Sequence, residues 1–262
     1  MNHDPLIIGH RGASAVAPEN TLAAFARGLA DGADGIEFDV RRSRDSVPVV
    51  IHDATLRRTG LVANAVGDLT AEELQHVNVG KWFYRTRPAL KREHLDERLP
   101  TLAQVLQQYS DSHALLYLEI KGEPDEGQSL AVEISRLIAH SKISDRTIVL
   151  SFDLSVLANF KRMNPRIRTG ALFEPRLSHP LSAIPRSKII DLAVASGANE
   201  IALHYSLVSR KLVEAARQSG LNVVVWTVDK PEWLQRGCAM GIRALITNNP
   251  GLFAKSRPVA QK

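Results

Sequence analysis

The residues best suited to chemistry cluster between Gly35 and Asp53, where Glu37 and Asp39 stand two apart in Gly-Ile-Glu-Phe-Asp-Val and His52 closes the following apolar run. In a strand, positions i and i+2 share a face about 6.6 Å apart. Glu37 and Asp39 therefore point one way while Ile36, Phe38 and Val40 point the other. Two acids facing one interior are costly unless something positive lies between them. A divalent cation, Mg²⁺ or Ca²⁺, is the hard partner that carboxylate oxygens prefer. Glu119 and Lys121 repeat the same spacing in Leu-Glu-Ile-Lys, and His10-Arg11 ends the opening run Leu6-Ile7-Ile8. Three carboxylates can hold such a cation and leave positions for water and a ligand, while all-oxygen ligation argues against a structural zinc. The cation, Arg11 and Lys121 would neutralise a phosphate and the charge it gains in its transition state. His10 and His52, with ordinary pKa values near 6.5, suit a general acid and base pair. Together these groups describe phosphodiester cleavage.

Such residues need strands that end at one place. Leu6-Ile7-Ile8 predicts a buried strand delivering His10, and Ala-Pro-Glu-Asn-Thr predicts a helix start capped by Asn20 or Thr21, with Asn20 the simpler cap. Leu22, Phe25, Ala26 and Leu29 fall on one helical face that Gly32 ends. The run Val47 to His52 follows Val40 too closely for a parallel crossover, so it predicts a hairpin turning near Asp45-Ser46. Pairing Arg44 with Val47 across that turn sets His52 opposite Asp39. Residues 54–98 read as a polar insertion over one end of the fold, with a helix near Thr70–Val77 and an exposed amphipathic patch at Lys81–Arg85. A helix over Leu102–Tyr109 follows.

Further strands are predicted at Ala114–Lys121, Thr147–Phe152, Thr169–Phe173, Glu200–His204, Asn222–Val228 and Ala244–Thr247, with helices such as Ser129–His140 and Ser209–Ser219 between them. With the first strand and Gly35–Val40, that makes eight parallel strands. The expectation is an α/β chain forming one (β/α)8 TIM barrel over residues 1–262, with its insertion at 54–98 lying over one end. An open doubly wound sheet is the alternative, but Gly9-His-Arg-Gly12 lacks the dinucleotide fingerprint. The strand ends collect His10, Arg11, Glu37, Asp39, Glu119, Lys121, Ser151, Glu174, His204, Trp226, Thr247 and Asn248 at one mouth.

Composition narrows the classes. Apolar residues make up 44% and charged residues 23% of the 262, as in ordinary globular proteins, and no run is long enough to span a bilayer. A formal charge of +5 favours anionic partners only weakly, and one aromatic cluster is no stacking platform for nucleic acid. The lone Cys238 cannot form an internal disulfide, and Met-Asn-His-Asp-Pro has no secretory apolar core. These features predict a cytoplasmic protein with no nucleic-acid partner and no stable membrane insertion. His76, His94, His113, His140 and His179 lack partner spacing and read as surface residues.

The motifs His10-Arg11-Gly12, Pro18-Glu19-Asn20-Thr21, Gly35 to Val40 and Val49-Val50-Ile51-His52-Asp53 with Leu56-x-Arg58-Thr59 resemble the glycerophosphodiester phosphodiesterases, relatives of the phosphoinositide phospholipase C barrels. Leu99-Pro-Thr-Leu102, Leu118-Glu-Ile-Lys121, Ser151-Phe-Asp153, Trp226-Thr-Val-Asp229 and Ile246-Thr-Asn-Asn-Pro250 extend the likeness along nearly the whole chain. The resemblance implies His10 and His52 as the acid/base pair and Glu37, Asp39 and Glu119 as ligands of a divalent cation. It makes Arg11 a phosphate contact with Lys121 nearby, and Trp226 a wall for glycerol. Such enzymes release sn-glycerol 3-phosphate and an alcohol from glycerophosphodiesters. Asn248 stands where many members carry Asp. A lysophospholipase D variant on longer lipid diesters and a non-catalytic phosphate-binding barrel are the competing readings.

Overall fold

The computed structural model describes residues 4–122, 124–139, 141–175 and 186–256. The chain opens with β1 (Leu6–His10), α1 (Leu22–Ala30), β2 (Gly35–Arg42) and β3 (Pro48–Val50). Two short helices, α2 (Ala71–Gln75) and α3 (Lys81–Arg85), precede α4 (Leu102–Gln108). Strands and helices then alternate through β4 (Leu115–Ile120), α5 (Pro124–Ala139), β5 (Thr147–Ser151), α6 (Leu154–Met163) and β6 (Arg168–Phe173). The last units are α7 (Arg186–Ala195), β7 (Glu200–His204), α8 (Arg210–Gln218), β8 (Asn222–Trp226), α9 (Trp233–Met240), β9 (Ala244–Thr247) and α10 (Pro250–Ala254).

Strands β1, β2 and β4 to β9 pair parallel with their neighbours, and β1 joins both β9 and β2, closing the ring. This is the (β/α)8 barrel expected from the spacing of apolar runs. Alternation along each strand separates two apolar layers. Ile8, Tyr117, Leu150, Leu172, Ala202 and Val224 fill the interior, while Phe38, Val40, Leu116 and Val149 pack outward against the helices. The interior set stops one to three residues short of the strand ends, so polar residues there face the mouth.

Strand β3 lies outside the ring, antiparallel on β2. The hairpin is present but its register differs by one residue: Val40 pairs with Val50 and Arg42 with Pro48. The cause is a three-residue loop, Arg44 to Ser46, with Ser46 in the left-handed region at φ 65° and Ser43 N–H donating to Val47 O at 3.1 Å. Ile51, not His52, thus stands opposite Asp39, its N–H donating to Asp39 O at 3.0 Å.

Two other expectations are corrected. Asn20 has φ 58°, and a cap requires extended backbone, so Thr21 (φ −116°, ψ 157°) caps α1 by accepting from Ala24 N–H. Lys81–Arg85 is a helix with Phe83 and Tyr84 buried, rather than an exposed patch. His76 and His113 are exposed and His94 is half-buried, 3.9 Å from Glu97, while His140 and His179 lie outside the described residues. Among the described residues, no helix is long and apolar enough to cross a membrane.

Candidate active site

Barrel register assembles the charged centre. His10 pairs in register with Glu37, and Asp39 with Glu119, so one strand contributes to both neighbours. Glu37, Asp39 and Glu119 are buried and each offers a carboxylate oxygen within 4.8 Å of the others. Lys121 Nζ lies 2.6 Å from Glu119 Oε1 and 3.2 Å from Asp39 Oδ1. Arg11 Nε is 3.1 Å from Asp39 Oδ2, and the Arg11 backbone N–H donates to Glu37 Oε2 at 3.1 Å. That donation depends on Arg11 adopting φ 54°, a left-handed conformation that only a well-determined surrounding maintains.

Three carboxylates against two cations leave the centre acid-rich. Burial, then repulsion from Asp39 and Glu119, pushes the Glu37 carboxyl well above its usual range. Burial likewise pushes Glu119 up to about 7. Burial also works against ionised Asp39, but Lys121, Arg11 and His52 outweigh it and hold that carboxyl well below the usual range. Asp39 Oδ1 and Glu119 Oε1 are buried without a well-directed hydrogen bond among the described residues. Acceptors in that state, beside an ammonium alone, are the donor set of a hard cation.

The two histidines are held differently. Asp229 fixes the Asn248 amide, taking Nδ2–H at 2.7 Å and the backbone N–H at 2.8 Å. Asn248 Oδ1 is thereby left to accept, from Ser14 Oγ at 2.9 Å and from His10 Nδ1 at 2.7 Å. The proton of neutral His10 therefore sits on Nδ1, with Nε2 free on the side of Glu37, 3.9 Å away. Burial, with Arg11 adding, pushes the His10 pKa down to about 4. His52 instead directs Nδ1 to the Asp53 carboxylate at 2.7 Å, and Arg41 Nε donates to its carbonyl at 2.6 Å. Burial lowers its proton affinity while Asp39 and Asp53 raise it, leaving a net lowering.

Around these groups lies a cavity of about 320 Å³ lined by His10, Arg11, Glu37, His52, Glu119 and Lys121 on its charged side. Its other side is Phe152, Leu172, Trp226 and Ile246, with Glu174 at the edge. Trp226 donates Nε1–H to Ala202 O at 3.0 Å and meets Phe152 and His204 edge-on at 5.7 and 5.4 Å between ring centres. All eight residues singled out from the sequence line this cavity except Asp39, which lies beneath Arg11 and Lys121.

Four contributors escaped sequence reasoning. Asn20 donates Nδ2–H to Asp39 Oδ2 at 2.9 Å and accepts the Asp39 N–H at 3.2 Å. Glu19 accepts from Arg11 Nη1 at 2.9 Å. Arg58 joins Glu19 to Asp53, donating to Glu19 Oε1 and Oε2 at 2.7 Å each and to Asp53 at 2.7 and 3.1 Å. Only their inclusion in family-like motifs marked Glu19, Asn20, Asp53 and Arg58, since no local spacing links them.

With this geometry in place, comparison with known proteins is decisive. Residues 10–252 match the model of the glycerophosphoryl diester phosphodiesterase family. This chain belongs to that family. It is a phosphoric diester hydrolase, similar over 95% of its length, at 34% identity, to the Bacillus subtilis protein YhdW, of which 96% is covered. A glycerophosphodiester phosphodiesterase of Caldanaerobacter subterraneus is 32% identical over 94% of either chain. The crystal structure of the Agrobacterium tumefaciens glycerophosphodiester phosphodiesterase superposes with a TM-score of 0.77 at 26% identity, covering 96% of this chain and 99% of the other.

Proposed function

We propose that this chain is a metal-dependent glycerophosphodiester phosphodiesterase, releasing sn-glycerol 3-phosphate and an alcohol with His10 and His52 as its acid and base. The reading treats 1–262 as a single cytoplasmic domain whose 54–98 insertion covers the mouth. One observation carries it: three buried carboxylates, two cations and two oppositely supported histidines meet at one cavity in a chain of this family.

Glu37, Asp39 and Glu119 would hold Mg²⁺ or Ca²⁺, and the unsatisfied oxygens of Asp39 and Glu119 support that fit. When bound, the ion supplies a Lewis acid for the phosphate oxygens. Arg11 and Lys121 place their charges at the same phosphate, so the increase of negative charge is met by groups already in position. His10 Nε2, unprotonated at neutral pH because burial holds the pKa near 4, accepts the proton of the attacking hydroxyl, from water or the glycerol. His52, with Nδ1–H directed to Asp53, serves as the acid in its doubly protonated form and gives its Nε2 proton to the departing alcohol. Trp226 and Phe152 give the glycerol carbons an apolar wall.

A coupled assay for glycerol 3-phosphate, run on glycerophosphocholine before and after chelator treatment, tests the proposal. Turnover that stops with chelator and returns with Mg²⁺ or Ca²⁺ is expected. Chelator-resistant turnover, or release of phosphocholine instead of choline, would contradict it.

A further inference from the structure

We infer that Arg58 is a positioning residue for this reaction, holding the phosphate-side Arg11 and the proton-carrying His52 in place at once. Its guanidinium makes two bidentate pairs. Nε and Nη2 grip Asp53 at 2.7 and 3.1 Å, and Nη1 and Nη2 grip Glu19 at 2.7 Å each. These bonds engage four of its five N–H donations, which leaves little for a ligand. Each gripped carboxylate then serves one working group: Glu19 accepts from Arg11 at 2.9 Å, and Asp53 accepts from His52 at 2.7 Å.

The result is an alternating row, Arg11, Glu19, Arg58, Asp53, His52, whose two ends reach the same cavity. Glu19 comes from the loop before α1 and Asp53 from the end of the hairpin, so Arg58 bridges segments that the barrel strands alone do not fix. The Trp82 ring lies 5.2 Å from the guanidinium and supports it through a cation–π contact from within the 54–98 insertion. The insertion thus has a role besides covering the mouth, in setting the attitude of two side chains below it. A lysine cannot reproduce this, because an ammonium lacks the planar fork that serves two carboxylates together.

Without Arg58, Glu19 keeps only Arg11 to pair with and draws it from the phosphate, while Asp53 and His52 lose a fixed orientation. Misplacement of reacting groups by about 1 Å costs about 100-fold. Steady-state kinetics on glycerophosphocholine, with melting temperature as the folding control, should show Arg58→Ala lowering kcat/KM by about 10- to 100-fold, through both a lower kcat and a higher KM. Arg58→Lys should recover little of the loss, and added guanidinium ion should restore Arg58→Ala in part. In a Glu19→Gln, Asp53→Asn background, Arg58→Ala should cost no more than about twofold further, since the groups it acts through are already altered. An Arg58→Ala enzyme within about twofold of wild type would overturn the inference, and so would the full loss recurring in that background. The inference rests on the proposed phosphodiesterase reading, and the outcomes separate the two. Wild-type protein that turns over no glycerophosphodiester defeats both, whereas active wild type with an indifferent Arg58 defeats only this one.

Discussion

Two clusters of buried charge occupy opposite ends of the barrel. At the N-terminal end, Glu200 is wholly buried, accepts from the Tyr117 hydroxyl at 3.1 Å and faces Arg243 at 3.5 Å and Arg168 at 3.9 Å. There, one carboxylate meets two arginines and a hydroxyl. At the C-terminal mouth, Glu37, Asp39 and Glu119 share Arg11 and Lys121 beside an open space of about 320 Å³. The lower cluster has cation to spare and ties strands together. The upper one has acid to spare and room for a ligand. Buried charge by itself thus marks neither structure nor chemistry. The sign of the imbalance separates the two, and at the mouth the excess acid adjoins space for a ligand.

Substitutions can sharpen that contrast. The largest effect is expected from His10→Ala or His52→Ala, each lowering kcat about 1,000-fold, equivalent to about 4 kcal/mol, with the melting temperature little changed. Glu200→Ala should do the reverse, costing about 3 kcal/mol in a urea unfolding titration because two arginines lose a buried partner, while kcat of the folded fraction stays close to wild type. Comparable loss of activity in Glu200→Ala would break the comparison. Glu37→Gln removes one of the crowded acids, so the chelated protein should gain about 1 kcal/mol in the same titration while losing activity.

The pH dependence has a definite sign. Glu37 and Glu119 have folded-state pKa values raised above their unfolded ones, Glu119 from 4.5 to about 7, so the metal-free folded protein binds more protons than the unfolded chain across that window. Their contribution to metal-free stability is intact below about pH 4.5 and is lost as pH rises towards 7. Chelated protein melted at pH 5 and at pH 7 should therefore show this contribution weakening at the higher pH, more strongly in wild type than in Glu119→Gln. An equal pH response in the two proteins would count against the crowded-acid description.

Much of this was legible from alternation alone. The strands β7 and β9 coincide with their expected bounds, because short apolar runs flanked by polar residues a few positions after a glycine have few other ways to be buried. The same period placed Glu37, Asp39 and Glu119 on the interior face. What the sequence did not carry was set by single backbone angles and by long-range pairs. A left-handed Ser46 lengthens the hairpin loop and moves the register by one, and a left-handed Asn20 shifts the cap to Thr21 and turns the amide onto Asp39. Arg58 meets Glu19 across 39 residues, a pairing that no local periodicity encodes. Likewise, Asp229 orients Asn248 across 19 residues, and that decides which His10 nitrogen holds the proton.

The central claim is that Glu37, Asp39 and Glu119 form one divalent-cation site, and calorimetric titration of chelator-treated protein with Mg²⁺ or Ca²⁺ tests it most directly. One ion per chain is expected, with protons released on binding and affinity tightening as pH rises, since bound ligands must be ionised. Folded Asp39→Asn and Glu119→Gln variants should lose that binding. Saturable binding that survives both substitutions, or no binding by the wild-type protein, would contradict the account.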